Sequence, residues 1–139
     1  MYGEGADPRN ATMKDSITVS GPGYLLTHDS TNNKLDLCAD GEIAIGVSVG
    51  ESERAAGGDL LTASAKISYY PLGGVLMVAS KASQTYTTGL TVYVGASGLA
   101  LDSDDASSKK LGLYVGEGVT TSSSNGDLIP VNTQGAAIA

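Results

Sequence analysis

The side chains that could do chemistry in this chain of 139 residues are few, and their spacing does not suit it. The single histidine, His28, is followed by Asp29 and Ser30. A Ser-His-Asp centre is assembled by geometry in space, and three consecutive residues on a polar stretch do not supply one. His28 therefore reads as a solvated loop residue. Asp102, Ser103, Asp104 and Asp105 resemble the start of a calcium loop, but an EF-hand needs Gly at its sixth position and Glu at its twelfth. This chain has Ser107 and Leu113 there. Glu51 and Glu117 follow Gly50 and Gly116 in similar surroundings. Such a carboxylate pair invites an acid–base reading, but nothing else supports it, and both read as strand-end residues facing solvent. The turn Gly95-Ala96-Ser97-Gly98 is not followed by the lysine of a phosphate-binding loop. One His, one Cys and no CxxC or HExxH leave no set of zinc ligands. No catalytic residue, cofactor site or metal site is expected. Cys38 has no second cysteine to pair with. It ends the alternating run Lys34-Leu35-Asp36-Leu37-Cys38, so it reads as a small core residue.

Composition narrows the function classes. The formal net charge is −7, and only two of the eight Lys and Arg, Lys109 and Lys110, are adjacent. Nucleic acid and anionic membrane both ask for a basic patch, so neither is an expected partner. The acidity suits solubility or a basic partner surface. No apolar run reaches the ~18 residues of a membrane span, and Met1 to Lys14 lack the apolar stretch of a signal peptide. The expectation is a soluble chain, intracellular or belonging to an assembly built inside a cell.

The elements that would position any site are strands. There is no Trp or Phe; seven Tyr are the only aromatics, and nineteen Gly punctuate the chain. Short apolar runs between frequent turns mark a sandwich or barrel. Strands are expected at 16–20, 24–27, 34–38, 43–49, 59–63, 66–70, 75–79, 90–94, 99–101, 110–115 and 127–131. Residues 51–58 are expected as a helical turn or a looped excursion, and residues 81–88 and 116–126 as polar connections. Residues 1–15 read as an N-terminal arm, either disordered or ordered on a neighbouring subunit, with Tyr2 and Met13 as apolar anchors. Residues 132–139 read as a C-terminal tail.

Within the β domain, 16–131, one pattern occurs twice. Ile45-Gly46-Val47-Ser48-Val49-Gly50-Glu51 matches Leu111-Gly112-Leu113-Tyr114-Val115-Gly116-Glu117 at an offset of 66 residues. Gly58-Asp59-Leu60-Leu61 matches Gly126-Asp127-Leu128-Ile129 at 68, and Leu35-Asp36-Leu37 matches Leu99-Ala100-Leu101 at 64. The copies span about 24–63 and 90–131, with 64–89 as a central insertion. The glycine inside each apolar segment suits a bulge or a close backbone approach, and Gly-Asp suits a turn into the next strand. Three strands cannot bury a face alone; two such units together can close a small barrel or sandwich.

Thr91-Val92-Tyr93-Val94, Gly98-Leu99-Ala100, Leu111-Gly112-Leu113 and Gly126-Asp127-Leu128-Ile129-Pro130-Val131 together resemble capsid decoration, or cement, proteins of tailed double-stranded DNA viruses. The resemblance covers about two thirds of the chain and rests on structural glycines and apolar residues. It implies a small all-β barrel or sandwich, often a homotrimer, with the major capsid protein as partner. Its place would be the capsid exterior, assembled in the host cytoplasm, where it stabilises the lattice against internal DNA pressure. Contact residues would then come from the arm, Tyr2, Pro8, Arg9 and Met13, and from the strand holding Ile67, Tyr69 and Tyr70. The stretch 66–83 has no place in the family pattern. Two rivals stay open. A fibre, spike or other tail component should carry a shaft-like or host-binding segment. A small carbohydrate-binding domain should expose aromatics around a cleft, for which Tyr69, Tyr70, Tyr86, Tyr93 and Tyr114 are the candidates.

Overall fold

A computed structural model describes residues 8–29, 33–103 and 109–134. These residues form β1 (Arg9–Thr12), β2 (Leu25–Asp29), β3 (Lys34–Leu37), β4 (Gly46–Ser48), β5 (Lys66–Pro71), β6 (Val75–Ser80), β7 (Thr85–Thr87), β8 (Thr91–Val94), β9 (Ala100–Leu101), β10 (Lys109–Tyr114), β11 (Val119–Thr121) and β12 (Asp127–Asn132). One 3-10 turn, Ala96–Gly98, interrupts them. The expected all-β class is what the chain adopts.

The strands make two barrels of one design. The first five lie in the order β1-β5-β4-β2-β3, and the isolated parallel bridge Met13↔Leu35 draws the two end strands together. The second set closes fully, β6-β12-β10-β8-β9, with β6 and β9 joined by the parallel pair Ser80↔Ala100. Every pairing in one set has its counterpart in the other, down to single hydrogen bonds. Lys14 N–H donates to Leu35 O at 2.7 Å, and Lys81 N–H to Ala100 O at 3.0 Å. Ser48 N–H donates to Tyr24 O at 2.9 Å, and Tyr114 N–H to Leu90 O at 3.0 Å. Gly23 N–H donates to Ser48 O at 2.8 Å, and Gly89 N–H to Tyr114 O at 2.9 Å. Val49 N–H donates to Ser68 O, and Val115 N–H to Pro130 O. Barrel 1 thus runs from β1 to β5 and barrel 2 from β6 to β12, with the β7–β11 ribbon added to the second.

This register corrects parts of the sequence alignment. Gly46 and Gly112 do coincide, since Val47 lies opposite Leu25 and Leu113 opposite Thr91. Leu35 coincides with Ala100, one residue later than expected, because Met13↔Leu35 and Ser80↔Ala100 are the equivalent bridges. Gly58-Asp59 has no counterpart in Gly126-Asp127: the strand equivalent to β12 is β5, which begins seven residues after Asp59. Both pairs keep the turn role, with Gly58 and Gly126 at φ of 102° and 97°. The stretch 64–89 holds the last strand of one barrel and the first of the next. Residues 9–12 are the outermost strand of barrel 1, pairing with β5 from Arg9↔Tyr69 to Thr12↔Lys66. Residues 16–20 and 59–63 form no strand; Val19 N–H is held by Ser52 Oγ, and Leu60 makes a single bridge to Arg54.

Two apolar clusters follow the two barrels. Met13, Leu26, Leu35, Ala65 and Ile67, with Val19, fill barrel 1. Leu76, Val78, Val92, Val94, Leu111, Ile129 and Val131 fill barrel 2 with Tyr86 and Tyr114. Each buried aliphatic side chain contributes roughly 1.5–3 kcal/mol. Leu25, Cys38, Ala44 and Val47, on the outside of barrel 1, belong to the second cluster. They weld the barrels side by side. At this weld Gly98 packs against Leu25 and Leu37, and its N–H donates to Cys38 O at 2.9 Å.

Candidate interaction surface

The residues whose types could do chemistry end up apart. His28 is exposed on β2 with Nε2 2.9 Å from the side-chain oxygen of Asn33, so its ring faces an amide with no described hydroxyl nucleophile in contact. Glu51 is engaged by Arg54, whose Nε and Nη2 lie 2.6 and 2.8 Å from its oxygens. That hydrogen-bonded guanidinium holds the Glu51 carboxyl below its ordinary range. Glu117 is exposed on the other barrel. Asp102 accepts the Thr85 backbone N–H at 2.6 Å and so anchors β7; Asp104, Asp105 and Ser107 lie outside the described residues. Among the described residues no three His, Cys, Asp or Glu side chains gather as metal ligands would. Cys38 is buried, and burial first, then Glu42 and Asp36, pushes its thiol up to about 12. A thiol so hard to ionise is a poor nucleophile.

Two of the five tyrosine candidates are withdrawn into a core. Tyr86 and Tyr114 are only 2% and 3% exposed and stack in the core of barrel 2 with ring centroids 5.6 Å apart. Tyr86 Oη lies 2.5 Å from Ser80 Oγ and donates to Ala100 O at 3.1 Å. It locks β6 to β9 where the barrel closes. A cleft of about 320 Å³ does open between the barrels, walled by Pro22, Val47, Tyr70, Leu76 and Met77. Two hydroxyl-bearing residues line it, Ser48 and Tyr70, and Ser48 Oγ is spent on Tyr24 N–H and Gly21 O. Tyr70 is then the one remaining hydroxyl-bearing side chain in an otherwise apolar lining, where an orienting site uses several convergent polar groups.

The expected contact residues divide. Tyr2 lies outside the described residues. Met13 and Ile67 are buried inside barrel 1, at 0% and 3% exposure. Alternation along β1 and β5 turns both inward, so their apolar surface is already covered by their own chain. Tyr69 lies over Gly46, and Tyr70 packs against the cluster of barrel 2. Pro8 and Arg9 are exposed at the start of β1. The described residues 9–12 of the arm pair with residues 66–69 of that strand.

Exposed apolar side chains occur on both barrels, Ile43, Ile45 and Val49 on barrel 1 and a larger set on barrel 2. Leu90, Leu113, Val115, Val119 and Leu128 are each at least 42% exposed. Leu113 and Val115 lie in the expected strand 110–115. A bulge between Lys110 and Gly112 reverses the alternation, burying Leu111 and Tyr114 and turning Leu113 and Val115 out. The bulge-forming glycine was visible in the sequence; the side it turned outward was not.

No protein-family model and no curated protein matches the sequence. Among solved structures the chain is similar to one described as the head fiber gp8.5 N base in bacteriophage phi29, with a TM-score of 0.61 and 21% identity, covering 92% of this chain and 95% of that one. At that identity what the two chains share is the fold.

Proposed function

We propose that this chain is a structural protein of a virion that binds the outer surface of the capsid lattice, with the major capsid protein as its partner. The carrying observation is the fold shared with a protein described as the base of a phage head fibre. The resemblance of its glycine-apolar motifs to capsid decoration proteins points the same way. The residues offered to the capsid are Tyr2, Pro8 and Arg9, at and before the start of β1. Subunits associate as a homo-oligomer, with a trimer expected from the resemblance.

The test is co-sedimentation of the purified protein with empty capsids of the same virus that lack it. Saturable binding is expected, and weakened binding on Arg9→Glu. Absence of binding overturns the reading. The neighbour's description also favours a second reading, in which the chain is an attachment base for a longer fibre. The melting temperature of decorated capsids separates the two: a rise marks a stabilising cement, and binding without a rise marks an attachment base.

A further inference from the structure

The contact that joins the two barrels has both of its halves repeated elsewhere on the molecule, the turn half exposed and the edge half partly buried. Within the chain, Gly23 O accepts the N–H of Ala79 on the outer edge of β6 at 2.8 Å. A Cβ on Gly23 would lie 2.8 Å from that nitrogen, so backbone lies on backbone. Val47, beside it, is only 1% exposed.

The repeat supplies the counterparts. Gly23 corresponds to Gly89, with φ of 86° and 84°. Tyr24 corresponds to Leu90, Val47 to Leu113 and Ala79 to Thr12. On barrel 2, nothing lies within 4 Å of a Cβ built on Gly89, and Leu90 and Leu113 are 61% and 46% exposed. On barrel 1, Met13 N–H donates inward to Ala65 O, so alternation turns the Thr12 N–H to the outer edge, as it turns that of Ala79.

We propose that copies of this chain associate head to tail, the turn at Gly89 and Leu90 of one copy lying on the β1 edge of the next. Gly89 O accepts the Thr12 N–H, and the contact between barrels is repeated between chains. The occupant is a second copy because this fold already carries both surfaces and already joins them once. The outward side chains of β1 and β5 are polar here, with Lys66 Nζ on Thr12 Oγ1 and Ser68 Oγ on Asn10 Oδ1. Main-chain pairing at a strand edge tolerates that change, because its hydrogen bonds do not depend on side-chain type. Such a contact is heterologous, and it gives a ring where the rotation closes. The inference rests on the homo-oligomer reading above and not on capsid binding.

The test uses the full chain with Cys38→Ala, carrying either Thr12→Cys or Leu90→Cys, after circular dichroism shows the fold retained. Mixing the two variants under mild oxidation is expected to yield interchain disulfides, and neither alone should. Leu113→Glu should weaken association about tenfold. Equal cross-linking within one variant, or an oligomer by light scattering whose mixed variants do not cross-link, overturns this contact alone. A wild-type chain that stays monomeric at every concentration overturns the oligomer reading together with it.

Discussion

Gly46 and Gly112 stand at the same point of the two barrels, each pressed against the backbone carbonyl of the neighbouring strand. A Cβ on Gly46 would lie 2.6 Å from Tyr70 O, and one on Gly112 would meet Asn132 O closer still. Tyr70 and Asn132 are themselves equivalent, lying opposite Val47 and Leu113. The repeated glycine is thus a packing requirement met twice.

Gly112→Ala and Gly46→Ala should each destabilise the fold by about 1–3 kcal/mol, because the obstructing atom is backbone and cannot rotate away. Gly57→Ala, where nothing lies within 4 Å, should change stability by less than about 0.5 kcal/mol. Urea midpoints at constant slope decide between these outcomes.

Met13 is an internal anchor of barrel 1. Met13→Ala should cost about 2–5 kcal/mol through the cavity it leaves. Arg9→Ala, four residues earlier and exposed, should cost less than about 0.5 kcal/mol. A Met13→Ala chain as stable as the parent would show that this side chain is not buried in solution.

Stability should fall at alkaline pH, and the sign follows from proton uptake. Cys38 and Tyr86 are pushed up to about 12 from 9.0 and 10.0, desolvation by burial being the leading cause in both. Above pH 9.0 the unfolded thiol ionises while the folded one stays protonated, so the unfolded state gains. Tyr86 adds to this above 10.0, and the decline ends near 12. Denaturation midpoints measured from pH 8 upward should show it, and Cys38→Ala should remove the part that begins at pH 9.0.

Tyr86→Phe should cost about 0.5–1.5 kcal/mol, the net worth of one neutral hydrogen bond. The effect stays that small because Ser80 Oγ still donates to Lys81 O, and Ala100 O still accepts Lys81 N–H. The variant should also lose the portion of the alkaline decline that starts at 10.0. Unchanged stability at neutral pH together with an unchanged alkaline limb would remove Tyr86 from the barrel closure.

By itself the sequence determined what depends on local chemistry. Short alternating runs, nineteen glycines and the lack of Trp and Phe specify an all-β chain. The run ending at Cys38 placed that thiol in the core, and Gly46 and Gly112 marked the repeat. Tertiary structure decided what depends on pairing between distant strands. Whether Leu35 answers Leu99 or Ala100 is a slip of one residue, and in a strand one residue exchanges the faces. The sequence shows β1 as a polar segment, and only the ladder from Arg9↔Tyr69 to Thr12↔Lys66 makes it the edge of a sheet. Val47 and Leu113 are the same residue of the same motif, buried in one barrel and exposed in the other. Their strands are alike; the difference is that a second barrel covers the first, and coverage by a distant element leaves no mark in local spacing.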